Sequence, residues 1–251
     1  MARYQALVFD LDGTLLDTIA DLGEAVNYAL RQRDLPLHTL DEYRAMVGNG
    51  VRKLVERALP VISSDSSPVI SSDSSPVISS DSSPVISSDS SPVISSERSE
   101  SRNLLDACLA DFMSYYESHI DVHTAPYAGM PELLQELSDA GVALAVASNK
   151  FQSGAEYLVT KLFPGIPFVA VLGNREGFPL KPDPAIVETV LEKAGVDRSA
   201  AALVGDSATD MKTAANAGVP GIAVAWGYQD MAGYPVVART VAELRALLLP
   251  Q

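Results

Sequence analysis

The stretch Ala6-Leu7-Val8-Phe9-Asp10-Leu11-Asp12-Gly13-Thr14-Leu15-Leu16-Asp17 decides how the rest of the chain is read. Its apolar opening, bounded by a glycine, predicts a short buried strand, and two carboxylates stand where that strand stops. In open α/β sheets, ligands bind beyond the carboxyl ends of the strands, so the position itself points to chemistry. Asp10 and Asp12, two apart with Gly13 behind them, can reach a common point past the strand end. Adjacent like charges are costly to keep ionised, so the pair either shares a proton or holds a cation. A strand followed by a plain acidic turn is the competing reading, and the remainder of the chain decides between them.

At 251 residues with 47% apolar content, the chain is long enough for one large domain or two small ones with an ample core. No apolar run approaches the ~20 residues needed to span a bilayer, and the opening residues lack the core and cleavage pattern of a signal peptide. The expected location is the cytoplasm, with no membrane partner. A lone cysteine, Cys108, excludes an internal disulfide and a cysteine-built zinc site; its spacing from Leu104 and Leu105 reads as core. The net charge of −14 argues against a nucleic-acid partner. An acidic protein that handles an anionic substrate needs local positive charge or a metal.

One segment stands apart. From Val61 the octapeptide Val-Ile-Ser-Ser-Asp-Ser-Ser-Pro occurs four times, ending at Pro92, and a decayed copy runs from Val93 to Glu100. A period of eight is too short for helical solenoids, and a proline in each full copy argues against a central strand. Residues 61–100 therefore read as a solvated, mobile loop, either a tolerated tandem duplication or a phosphorylatable tether for a partner.

Around it the pattern has two regimes. Residues 18–59 and about 101–120 read as helical, with Ile19, Leu22, Val26 and Leu30 on one face, and Cys108, Phe112 and Tyr116 on another. Thr39-Leu40-Asp41-Glu42 has the form of a capping box. From residue 126, strands alternate with helices. Val142–Ala147 leads into Ser148-Asn149-Lys150, and Ser153-Gly154-Ala155-Glu156 has the form of a second capping box. Ala202–Val204 leads into Gly205-Asp206, and Gly221–Ala225 is the last core strand. The fold class is α/β: a Rossmann-like, mostly parallel sheet over residues 1–16 and 126–251. Residues 17–125 form an inserted helical domain, interrupted by the repeat loop at 61–100.

Polar groups recur at four places: Asp10 with Asp12, Ser148 with Asn149, Lys181 between prolines, and Asp206 with Asp210. Taken singly, Ser148 could cap a helix, Lys181 could be solvated and Asp206 could be an N-cap. Together, three of them at strand ends, they indicate one site.

Asp10-Leu11-Asp12-Gly13-Thr14, Ser148, Lys181 and Gly205-Asp206 followed by Asp210 resemble, in order, the four motifs of the haloacid dehalogenase superfamily. The helical insertion resembles that family's small cap. Its segment Tyr43-Arg44-Ala45-Met46-Val47-Gly48-Asn49-Gly50-Val51-Arg52 is similar to the cap of phosphoglycolate phosphatases, as are Tyr115-Tyr116, His119 and Thr124–Gly129. The repeat departs from the family pattern.

The resemblance implies a Mg²⁺-dependent phosphatase acting on a small phosphate ester, 2-phosphoglycolate foremost. Asp10 would be the nucleophile and Asp12 the general acid and base. Ser148 and Asn149 would bind the phosphate with Lys181. Asp10, the Asp12 carbonyl and Asp206 would hold the metal, with Asp210 orienting Lys181 or a metal-bound water. In the cap, Gly48, Asn49 and Gly50 would offer N–H groups, while Arg44 or Arg52 either meets a second anion or lies on a solvated face. Alternatives are a nucleotide or sugar phosphatase, a β-phosphoglucomutase-like mutase, and a non-enzymatic binding protein. His38, His119 and His123 show no ligand spacing; Trp226 and Tyr228 read as packing. The oligomeric state is not encoded in any pattern found.

Overall fold

The computed structural model describes residues 2–60 and 93–250. The opening apolar run forms strand β1 (Ala6–Phe9), followed by β2 (Leu16–Asp17), α1 (Ile19–Arg31), α2 (Leu40–Met46), α3 (Val51–Ala58) and α4 (Val93–His119). Then come β3 (Ala125–Pro126), α5 (Met130–Asp139), β4 (Ala143–Phe151), α6 (Gln152–Leu162), β5 (Phe168–Asn174) and α7 (Ala185–Ala194). The chain finishes with β6 (Ala201–Gly205), α8 (Ala208–Ala217), β7 (Gly221–Val224), β8 (Val237–Ala238) and α9 (Val241–Leu248).

Six of these strands form a parallel sheet in the order β5-β4-β1-β6-β7-β8. Because successive side chains of a strand point to opposite faces, each central strand feeds two cores. Leu7 and Phe9 of β1, Leu144 and Val146 of β4, and Ala202 and Val204 of β6 lie in one buried cluster. Ala6 and Val8, Ala145 and Ala147, and Ala201 and Leu203 lie in the other, against Val187, Val190 and Ala214 of α7 and α8. A sheet covered on both faces needs near-continuous apolar strands, which is what Ala6–Phe9 and Ala201–Val204 supply. Burying a side chain such as Leu7 or Phe9 contributes about 1.5–3 kcal/mol.

The segment between β1 and α5 leaves and re-enters the sheet domain through a two-stranded ribbon, in which Leu16 pairs with Pro126 and Asp17 with Ala125. Its helices pack on one another: Ile19, Leu22, Val26 and Leu30 of α1 are buried with Cys108, Phe112 and Tyr116 of α4. Tyr28 stacks on Tyr115 at 4.5 Å and Phe112 on Tyr116 at 5.0 Å. The buried Asp21 carboxylate accepts from the N–H groups of His123 (3.0 Å) and Thr124 (2.8 Å), tying α1 to the returning chain. Thr39 and Glu42 form the expected capping box of α2.

Three local expectations are corrected. The helix expected from about residue 101 begins at Val93, so residues 93–100 of the expected loop are helical. The decayed copy there has lost its proline and carries Glu97, Arg98 and Glu100, residues compatible with a helix. Residues 61–92, on which the rest of that expectation falls, lie outside the described residues. Ser153 caps no helix: α6 starts at Gln152, with Phe151 as its uncapped N-terminal neighbour. The Gln152 side chain is instead anchored to β5, donating to Val171 O (2.8 Å) and accepting from Gly173 N (2.6 Å). Finally, β4 does not stop at Ala147 but continues through a register shift to Phe151, so Ser148 and Asn149 lie on an irregular strand rather than beyond one. Among the described residues, no helix is long and apolar enough to cross a membrane.

Candidate active site

Asp10 is the first residue past β1, and its N–H still bonds Val204 O at 2.9 Å, so the sheet fixes where its side chain begins. Beyond it the chain folds back sharply, the Leu11 carbonyl accepting from Leu15 and Leu16 N–H at 3.0 Å each. Gly13 has φ +85°, and a Cβ there would stand 2.2 Å from Asp206 Oδ2. Only glycine allows that approach, because an L side chain is disfavoured at this φ and has no room.

Asp206 and Asp210 arrive from the adjacent β6–α8 junction. Ser207, not Asp206, is the N-cap of α8: it accepts from Asp210 N while the Asp210 side chain returns a bond to the Ser207 backbone. That capping box leaves Asp210 Oδ1 free to accept from Lys181 Nζ at 2.6 Å. The same ammonium donates to Asp10 Oδ1 at 2.7 Å. Asp206 is fixed by Thr14 Oγ1 (3.2 Å) and Tyr228 N (2.8 Å). Burial pushes its carboxyl up to about 7, with the neighbouring Asp210 charge adding to the shift. Burial, then Asp210, likewise holds the Asp10 carboxyl well above the usual carboxylate range, against the pull of Lys181.

Asn149 contributes through its side chain in a way the sequence reading did not anticipate. Its amide accepts from Lys181 N (2.9 Å) and donates to Lys181 O (3.2 Å), clamping the peptide that presents the ammonium. Ser148 is buried beside it, its hydroxyl accepting from Lys150 N at 3.2 Å. Lys150 itself was missed. Its ammonium is buried, 3.0 Å from Asp12 Oδ1 and 2.7 Å from the Tyr116 hydroxyl. No local spacing marks it, because β4 is irregular between Ala147 and Phe151 and brings Ser148, Asn149 and Lys150 alike to the cleft. Tyr228 and Trp226 are packing residues that brace the site, the indole donating to Thr14 O at 3.1 Å.

One cleft brings Asp10 and Asp12 together with the β4 residues and Lys181, while Asp206 and Asp210 do not line it. Asp10, Asp12, Ser148, Asn149, Lys150 and Lys181 line its sheet side; Leu22, Val47, Gly48, Gly50, Val51 and Leu54 line the helical side. It encloses about 40 Å³. The Asn49 side chain points elsewhere, donating to Thr209 Oγ1 (3.1 Å) and accepting from Arg57 (2.7 Å). None of the hydrogen bonds among the described residues uses the N–H of Gly48, Asn49 or Gly50. Arg44 and Arg52 do not line the cleft. Arg52 pairs with Asp106 at 3.0 Å on the surface, and Arg44 lies 3.7 Å from Asp41 with its guanidinium 6.0 Å from the Tyr228 ring centre.

Carboxylate oxygens of Asp10, Asp206 and Asp210 all lie within 4.8 Å of one another, and all three residues are buried. Three buried carboxyls with a single ammonium between two of them are short of positive charge. A hard divalent cation suits such an oxygen-only cluster and lowers the cost of ionising it.

A family model described as haloacid dehalogenase-like hydrolase matches residues 4–218. The phosphoglycolate phosphatase of Caulobacter vibrioides is 32% identical over 224 residues, which are 89% of this chain and 80% of that one. That of Pseudomonas syringae pv. tomato is 32% identical over 247 residues, 96% of this chain and 78% of the other. Among solved structures, a Lactobacillus delbrueckii subsp. bulgaricus protein with a provisional phosphoglycolate phosphatase name superposes with a TM-score of 0.80 at 30% identity, over 99% of both chains.

Proposed function

The chain belongs to the haloacid dehalogenase-like hydrolases, and from that premise we propose a Mg²⁺-dependent phosphatase that hydrolyses a small phosphate monoester, 2-phosphoglycolate foremost, through a phosphorylated Asp10. The observation that carries this is Lys181, whose buried ammonium sits 2.7 Å from Asp10 and 2.6 Å from Asp210. It holds the Asp10 carboxylate at the strand end and supplies positive charge where a phosphate dianion would meet it.

In the first half-reaction an Asp10 oxygen attacks phosphorus. The bond from phosphorus to the ester oxygen breaks, and Asp12 gives that oxygen its proton. In the second, Asp12 takes a proton from water, which attacks phosphorus and returns Asp10. The Ser148 hydroxyl and the Asn149 N–H donate to non-bridging phosphate oxygens, and Lys181 balances their charge. Asp10 and Asp206, with the Asp12 carbonyl, would hold Mg²⁺, which when bound offsets the repulsion between carboxylate and phosphate. Asp210 keeps Lys181 aimed.

Residues 17–125 act as the cap, closing Leu22, Val51 and Leu54 over the phosphate and excluding water. With Arg44 and Arg52 outside the cleft, the substrate carboxylate falls to the N–H groups of Gly48, Asn49 and Gly50. A narrow cleft between the two walls favours a compact ester over a nucleotide or a sugar bisphosphate.

The test is phosphate release with Mg²⁺ from 2-phosphoglycolate, ribose 5-phosphate, a nucleoside monophosphate and β-glucose 1-phosphate. Asp10→Asn and an EDTA-treated sample run alongside. A lead for 2-phosphoglycolate of about tenfold or more in kcat/KM, with both controls silent, is the expected result. Even activity across the panel removes the substrate assignment; no release from any substrate removes the phosphatase.

A further inference from the structure

Outside the Lys181 cluster, the chain buries a second ammonium that the proposed reaction does not use. The Lys150 side chain is 1% exposed and finds two partners in that burial, the Asp12 carboxylate and the Tyr116 hydroxyl. Its Nζ donates to Asp12 Oδ1 at 3.0 Å and to Tyr116 Oη at 2.7 Å, and lies 4.9 Å from the Tyr116 ring centre. Tyr116 is itself fully buried on α4, stacked on Phe112 and edge-on to Phe151 at 6.1 Å.

We propose that Lys150 is a positioning residue that holds the Asp12 side chain in line for proton transfer and, through Tyr116, makes that placement depend on the helical block. The inference rests on the reading of Asp12 as general acid and base. Three observations converge on it. Asp12 stands three residues past the end of β1, just before the turn at Gly13, and its backbone bridges to Leu16 rather than to a neighbouring strand of the six-stranded sheet, which holds Asp10. Its one ion-pair partner among the described residues is Lys150, delivered by a different strand. And each of the two carboxylates has its own lysine: Lys181 for Asp10, Lys150 for Asp12. The two lysines differ in what anchors them. Lys181 is held by Asp210 of the sheet domain, whereas Lys150 is held by a hydroxyl from α4. A displacement of α4 therefore reaches Asp12 but leaves the Asp10–Lys181 pair in place. A side chain that must sit within hydrogen-bond reach of the departing oxygen is sensitive to such a shift.

The discriminating readout is leaving-group dependence, because an ester whose alcohol leaves without a proton gains little from a placed acid. Wild type, Asp12→Asn, Lys150→Met and Tyr116→Phe are assayed with Mg²⁺ on p-nitrophenyl phosphate, phenyl phosphate and 2-phosphoglycolate; the two aryl esters carry equal charge. For Lys150→Met we expect kcat/KM, which reports only the phosphorylation of Asp10, to fall about 100-fold on phenyl phosphate and 2-phosphoglycolate but less than about 5-fold on p-nitrophenyl phosphate. Tyr116→Phe, which removes one oxygen and conserves packing, should show the same pattern at about 5- to 10-fold, and carries the test if Lys150→Met does not fold. Equal losses on all three esters would mean a merely structural lysine and overturn the inference. A higher KM confined to 2-phosphoglycolate, with kcat unchanged, would overturn it too, making Lys150 an anchor for the substrate carboxylate. If Asp12→Asn itself shows no leaving-group dependence, the reading of Asp12 fails and the inference falls with it. Dependence in Asp12→Asn but not in the other two variants overturns the inference alone.

Discussion

On the sheet side of the cleft, charged side chains are buried against partners: Lys181 between Asp10 and Asp210, and Lys150 against Asp12. On the helical side the same space is faced by Leu22, Val47, Val51 and Leu54, and the arginines of that block, Arg44 and Arg52, lie outside. The difference follows from how each wall is made. Parallel strands end in register, so residues just past β1 and β6 converge without needing long side chains, and buried carboxylates there can be matched with buried lysines. Helices packed on one another present whichever stripe is left over, and here that stripe is apolar with a glycine-rich break at Gly48–Gly50. On the proposed reading, chemistry is concentrated on the sheet wall, and selection on the other wall would work by shape and backbone N–H groups rather than by charge.

Substitutions on the sheet wall should therefore be far more damaging than those on the helical wall. Asp10→Asn should lower kcat by at least about 10⁴-fold in phosphate-release assays, since an amide cannot form the phosphorylated intermediate. Lys181→Met comes next: it leaves the Asp10 and Asp210 carboxyls buried without their cation, and should cost about 3–5 kcal/mol in urea unfolding. Loss of well under 1 kcal/mol would mean the pair is solvated and the wall not preorganised. Leu54→Ala, on the helical wall, removes a side chain that is 3% exposed. It should cost about 2–3 kcal/mol and open the cleft, raising kcat/KM for ribose 5-phosphate relative to 2-phosphoglycolate. An unchanged ratio would detach that wall from substrate choice. Smallest of all, Arg52→Ala should change KM for 2-phosphoglycolate less than about 3-fold and stability by less than about 0.5 kcal/mol, because its partner Asp106 is as exposed as itself. A tenfold rise in KM would bring the arginine into the site and blur the contrast.

The same contrast explains what was legible in the sequence. The parallel sheet could be read because its strands are short apolar runs ending in polar residues, a local pattern that needs no knowledge of neighbours. Asp10, Asp12, Asp206 and Asp210 were found for the same reason, and the structure brings them to adjacent strand ends. Lys150 was overlooked because its significance depends on Tyr116 and Asp12, distant residues that no local spacing connects to it. The clamp of Asn149 on the Lys181 peptide spans 32 positions and is invisible for the same reason. Ser153 failed as a cap because Gln152, whose partners lie on β5, began the helix earlier; local capping chemistry yielded to a tertiary bond. Arg44 and Arg52 were left undecided between a ligand and a solvated face; Arg52 pairs with Asp106 on the surface, whereas the Arg44 Nε is buried without a hydrogen-bond partner among the described residues. The helix start at Val93 was hidden by a repeat whose final copy differs from the others in only a few residues.

The central claim is that Asp10, on the sheet wall, carries the phosphoryl group between two half-reactions. Its most direct test is an acid-quenched burst experiment on Asp12→Asn with p-nitrophenyl phosphate and Mg²⁺, in which the first half-reaction needs no proton and the second does. The account predicts a burst of about one equivalent of nitrophenolate per enzyme, followed by a slow phase, and a phosphoryl group on the peptide that contains Asp10. No burst and no modified peptide, in a preparation whose wild-type counterpart releases phosphate steadily, would contradict it.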